Sequence, residues 1–161
     1  MQEKFKRKPL EIPLALADGL NDGEYTSMNN NWKSKNRHKY LLQYHLIFVC
    51  KYRKKLLSNK ISDDIKQLSY DICQKHNVII RKMETDKDHI HYMIETEPTI
   101  NLSDLVRTIK SYTTYHIWKL HSTYLLKHFW KERTFWTDGY FICSIGNVSE
   151  KQLRKYIENQ G

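Results

Sequence analysis

The sequence predicts an α+β fold: a ferredoxin-like (RRM-like) antiparallel sheet with helices on one face, plus a C-terminal helix that carries a tyrosine. Three observations predict it. Strand-like and helix-like segments follow in the order strand, helix, strand, strand, helix, strand, and a last helix comes after them. Two segments repeat apolar residues at helical spacing. The third strand-like segment alternates cleanly between two kinds of side chain.

Residues 1–37 stand apart. Pro9, Pro13, Asp22-Gly23 and Asn29-Asn30-Asn31 give no sustained period, so this stretch reads as a flexible N-terminal extension ahead of a domain at 38–161. Residues 41–49 are dense in β-formers and read as a buried strand. The basic run Lys51-Tyr52-Arg53-Lys54-Lys55 follows. A helix is expected over 58–75, with Ile61, Ile65, Leu68 and Ile72 as its stripe. Residues 78–83 and 89–95 form a hairpin across Asp86-Lys87-Asp88. In its second strand Ile90, Tyr92 and Ile94 share the face toward a core. His89, His91 and Met93 share an open working face. Asn101 or Ser103 caps a helix to about Leu120, with Leu102, Leu105, Val106, Ile109 and Ile117 inward. An aromatic and basic loop is expected over 121–133, and a fourth strand within 135–145, kinked at Asp138-Gly139. Gly146-Asn147 then turns the chain into the last helix. Ser149 and Gln152 form a capping box there, and Val148 with Leu153 a hydrophobic staple.

The chain has 161 residues, enough for one domain with a core. No apolar run approaches the ~18 residues of a membrane span. The basic start, Met1 to Lys8, is followed by no apolar stretch and cleavage site of a signal peptide. Three cysteines, Cys50, Cys73 and Cys143, have no CxxC spacing and read as free thiols of a reducing cytoplasm. The net charge of +9 favours a polyanion partner, nucleic acid first. Eleven tyrosines supply stacking platforms for unpaired bases. No Gly-rich phosphate loop is present, which argues against an NTP-driven motor.

Two histidines two residues apart on a strand point to one face, about 7 Å apart at Cα. His89 and His91 could thus hold one divalent ion from one side and leave the other open. On the last helix, Tyr156 and Gln160 are four residues apart and share a face beside the Leu153 and Ile157 stripe. Tyr156 is a candidate nucleophile and Gln160 a candidate third ligand. A tyrosine near pKa ~10 needs deprotonation or a metal-activated electrophile to attack. A mixed nitrogen and oxygen donor set leaves the metal open on softness grounds. Lys51, Arg53 and Lys54 are candidate phosphate contacts, and Arg107 and Lys110 could extend the same surface.

The run Thr85-Asp86-Lys87-Asp88-His89-Ile90-His91 resembles the HUH motif (His, hydrophobic, His) of single-tyrosine, single-strand transposases of bacterial insertion sequences. Lys51-Tyr52-Arg53-Lys54, Phe135-Trp136-Thr137, Tyr140-Phe141-Ile142 and Tyr156-Ile157-Glu158-Asn159-Gln160 look like that family too, in its order. The resemblance covers about residues 38–161. It implies a small dimeric transposase that excises and inserts an element as single-stranded DNA and recognises hairpins near the element ends. By position, His89, His91 and Gln160 would hold Mg²⁺ or Mn²⁺, and Tyr156 would attack DNA to form a 5′-phosphotyrosine. The tyrosine helix can serve the partner's metal site, giving composite sites in a homodimer with no membrane involved. Action would be in the bacterial cytoplasm, at the nucleoid.

Two other readings are open on sequence. A replication initiator or relaxase uses the same chemistry, but relaxases place the tyrosine before the histidines. An RRM-like RNA-binding module shares the topology, but would carry aromatics where His89 and His91 stand.

Overall fold

The computed structural model describes residues 33–35, 37–130 and 132–145, all within one compact unit, Trp32–Gly161. Strand β1 (Lys33–Lys35) pairs antiparallel with β2 (His38–Tyr40). The main sheet is built from β3 (Leu42–Val49), β4 (Ile79–Thr85), β5 (His89–Thr96) and β6 (Phe141–Ser144). Helices α1 (Asn59–Lys75) and α2 (Leu102–Leu126) complete the described elements. The sheet order is β4-β5-β3-β6 and every pairing is antiparallel. With α1 between β3 and β4 and α2 between β5 and β6, this is the expected ferredoxin-like arrangement. The two eight-residue strands, β3 and β5, lie at its centre.

The period of two in β5 sets the layers. Ile90, Tyr92 and Ile94 are buried, with Leu46 and Phe48 of β3, in one cluster with Ile61, Ile65 and Ile72 of α1 and Leu105, Val106, Ile109 and Ile117 of α2. Leu68 of the expected stripe is only half-buried, while Ser69 is fully buried and shares a hydrogen bond with Tyr92 Oη at 2.9 Å. Asn101 is the N-cap of α2, its Oδ1 accepting from the backbone N–H of Ser103 and Asp104.

The structure departs from the sequence reading in two places, the end of α2 and the strand at Lys33–Lys35. Helix α2 runs to Leu126, through part of the expected 121–133 loop. Its backbone leaves helical geometry at His121 (φ −128°, ψ 29°), where Nε2 meets Asp64 Oδ2 of α1 at 2.6 Å. Leu125 and Phe129 beyond the break are buried, so core packing rather than spacing continues the helix. The fourth strand lies within 135–145 as expected, at Phe141–Ser144. Trp136 makes only an isolated bridge to Cys50, and Lys110 Nζ donates to the carbonyls of Thr137, Asp138 and Gly139, holding that stretch as a loop. Within 1–37, Lys33–Lys35 is a strand, too short to show a period. Lys33 and Lys35 pair with Glu95 and Glu97 of the β5 end. The capping box and the last helix lie outside the described residues.

Candidate active site

His89 and His91 are adjacent same-face positions of β5, opposite Val49 and Ile47 of β3. Their ring centroids are 4.8 Å apart. The turn before them is fixed by the chain that leaves β3. Cys50 N–H donates to Asp88 O, and Leu57 N–H to Lys87 O, at 2.8 and 2.9 Å. Between these anchors a 3-10 turn, Lys51–Arg53, places Tyr52 and Arg53 in the left-handed region, at φ 59° and 50°. Each such non-glycine residue costs on the order of 1 kcal/mol, offset here by the anchors and by the contact the bend makes. Arg53 Nε donates to Asp88 Oδ2 at 3.1 Å, and Asp88 Oδ1 lies 2.7 Å from His89 Nδ1.

Burial alone would raise the Asp88 carboxyl, but hydrogen bonds from His89 and Arg53 hold it below the usual carboxylate range. An ionised Asp88 can only accept, so His89 Nδ1 carries the proton of that contact, and in the neutral ring Nε2 is the nitrogen free to ligate. Desolvation, then the neighbouring His89 and His45, pushes His91 down to about 4. His91 is therefore neutral at pH 7, the form a metal needs.

His45, a residue the sequence reading passed over, joins this pair from β3. Its Nε2 is 3.0 Å from His91 Nδ1, and the rings are stacked. Desolvation lowers its pKa as well, partly opposed by Glu84. The signal lay in the alternation of β3, where His45, Ile47 and Val49 oppose Leu46 and Phe48. It became readable only with the register that pairs β3 to β5.

The donor chemistry fits a divalent ion: two imidazoles on one face, one neutral by burial, each with its Nδ1 engaged. Among the described residues no group of three His, Cys, Asp or Glu is arranged to hold a metal. Tyr156 and Gln160 lie outside the described residues. The three cysteines are free, and burial pushes Cys50 and Cys73 up to about 12.

The basic candidates have partners. Lys51 pairs with Asp138, Arg53 with Asp88 and Arg107 with Asp104. Lys54 Nζ donates to the His128 carbonyl at 2.6 Å and lies over the Phe129 ring. Arg107 and Lys110 line a groove of about 980 Å³ between α2 and the loop before β6, with Tyr115, Lys119, Arg133 and Tyr140. Among the described residues, no helix is long and apolar enough to cross a membrane.

The family model for IS200-like transposases matches residues 38–160. The chain belongs to that family. The IS200-like transposase is 28% identical over 121 residues to the ISDra2 transposase TnpA of Deinococcus radiodurans, covering 75% of this chain and 85% of that one. It is 26% identical over 118 residues to the transposase for insertion sequence element IS200 of Salmonella typhimurium, covering 73% and 76%. A crystal structure assigned as a transposase from Deinococcus radiodurans superposes with a TM-score of 0.69 at 25% identity, over 80% of this chain and 97% of that one. A REP-associated tyrosine transposase bound to a REP hairpin shares the fold, with a TM-score of 0.50 at 15% identity, over 78% and 69%. The enzyme is a transposase that cuts and transfers DNA strands, and the initiator, relaxase and RNA-binding readings fall away. The family is in general divalent-metal dependent.

Proposed function

We propose that this transposase cuts and rejoins insertion-element ends as single-stranded DNA through Tyr156, with Mg²⁺ or Mn²⁺ held by His89, His91 and Gln160. The observation that carries the reading is the His89–His91 pair on the open face of a central strand, with Asp88 fixing one ring. The bound ion would polarise the scissile phosphate and orient it for in-line attack. The Tyr156 oxygen bonds to phosphorus and gives up its proton. The bond from phosphorus to the 3′ oxygen breaks, and that oxygen gains a proton to leave as a free 3′-OH. The 5′-phosphotyrosine conserves the bond energy. A 3′-OH of another strand then attacks it, so strands are exchanged without ATP.

The groove with Arg107, Lys119, Arg133 and two exposed tyrosines offers phosphate contacts and stacking surfaces for hairpin and single-stranded DNA. The structural neighbour bound to a REP hairpin supports hairpin DNA as the ligand. Lys51, Arg53 and Lys54 lie at the turn that follows β3, where Arg53 reaches Asp88 beside His89, and are the proposed contacts to the scissile phosphate. Residues 38–161 form the transposase domain, with 1–37 an extension to it. Two subunits share each site, the tyrosine helix of one docking at the histidines of the other.

Calorimetric titration of Mn²⁺ tests the metal site. Wild type is expected to bind it, and His89→Ala or His91→Ala to lose most of the affinity together with DNA cleavage. Equal affinities in all three would defeat the reading.

A further inference from the structure

We infer that His45 is a positioning residue for the metal ligand His91: its Nε2 accepts the Nδ1–H of His91 and leaves His91 Nε2 as the bare, metal-facing nitrogen. The inference rests on the metal role proposed above for His89 and His91.

In the register of β3 with β5, His45 is opposite Met93 and Ile47 is opposite His91. His45 and His91 are thus diagonal neighbours on one face, a spacing that aromatic side chains bridge. The bridge is formed, at 3.0 Å between nitrogens and with the planes only 12° apart. His45 is 6% exposed, and the Phe141 ring meets it edge-on at 6.2 Å. A buried ring fixed on both sides holds its partner in one orientation.

The proton count gives the contact its meaning. One proton lies between the two nitrogens. If His45 donated it, His91 Nδ1 would accept, and the neutral His91 would carry its own proton on Nε2, where it could not ligate. If His91 donates it, Nε2 is bare. His45 then carries its proton on Nδ1, a buried atom with no hydrogen-bond partner among the described residues. That unsatisfied group is a cost of the arrangement, and it leaves the His91 contact as the ring's one hydrogen bond. Asp88 does the same for His89, so each ligand has its own Nδ1 acceptor from a neighbouring segment. The bland alternative is a core histidine that only fills space.

Two substitutions separate the readings. His45→Phe keeps a flat buried ring but has no acceptor. His45→Gln brings an amide oxygen to about the position of Nε2. With folding verified by circular dichroism, Mn²⁺ titration should show His45→Phe weaker by roughly 10–100-fold, and His45→Gln within a few-fold of wild type. Wild-type affinity in His45→Phe would overturn the inference. So would equal losses in both variants, since repacking alone would then account for them. If either variant fails to fold, nitrogen-15 shifts of the Mg²⁺-saturated wild type decide. A proton on His91 Nδ1 is expected, and one on Nε2 refutes the inference. Absence of Mn²⁺ binding in wild type itself would strike down the histidine-pair site and this inference with it, whereas wild-type binding untouched by His45→Phe strikes down only the latter.

Discussion

Burial and the neighbouring histidines lower the pKa of His91, and its titration gives a test that needs no DNA. In the metal-free protein the folded ring takes up a proton only near 4, whereas an unstructured chain takes it up near 6.5. Above about pH 6.5 both forms are neutral and the group contributes nothing to the pH dependence. Between 6.5 and 4 the unfolded chain binds the proton first, so stability falls as pH falls, and the loss is complete below the folded value. His91→Gln removes this dependence. The difference in urea stability between variant and wild type should shift by on the order of 2 kcal/mol, in favour of the variant, from pH 7 to pH 4. A constant difference would show that the ring is not held neutral. A second residue-scale expectation concerns Lys110, whose ammonium burial lowers in pKa although three loop carbonyls surround it. Lys110→Met should cost about 1–3 kcal/mol of stability by leaving those carbonyls unpaired. Arg107, exposed and paired among the described residues with Asp104, should change stability by less than about 0.5 kcal/mol when replaced by Ala. It should instead lower the slope of log K against log salt for hairpin DNA by about 1. An unchanged slope would place the DNA elsewhere.

At the scale of elements, the readable features were those with a period. The alternation of β5 predicted both its buried set and the face of His89 and His91. The stripes of α1 and α2 were legible except at Leu68, and the structure chooses Asn101 over Ser103 as the cap. What spacing could not reveal depends on contacts between distant segments. His45 joins the site only through cross-strand register. The end of α2 is set by Leu125 and Phe129 fitting the core, although His121 breaks the backbone before them. Leu125→Ala should therefore cost about 2–5 kcal/mol in denaturant unfolding, a core value rather than a loop value. A loss below about 0.5 kcal/mol would return those residues to the surface. The exact start of β6 within 135–145 has the same origin, because Lys110 holds residues 137–139 out of the sheet.

At the scale of the whole molecule, the sheet presents the two histidines proposed as ligands, and the proposed third ligand and nucleophile come from the C-terminal segment. Sharing between subunits makes this testable by mixing inactive proteins. Under the shared arrangement, Tyr156→Phe and His89→Ala proteins, allowed to exchange subunits, should regain cleavage, since one site per heterodimer has both groups intact. A mixture that stays inactive after heterodimers are demonstrated would assign the tyrosine to its own sheet. The central claim, that Tyr156 attacks DNA at a site organised by His89 and His91, has a direct measurement. The protein is incubated with single-stranded element-end DNA and Mn²⁺, denatured in SDS, and its DNA-linked peptide sequenced by mass spectrometry. The account predicts a covalent 5′-phosphate adduct on Tyr156 that is absent without metal, in Tyr156→Phe and in His91→Ala. An adduct on another residue, or one that persists in Tyr156→Phe, would contradict it.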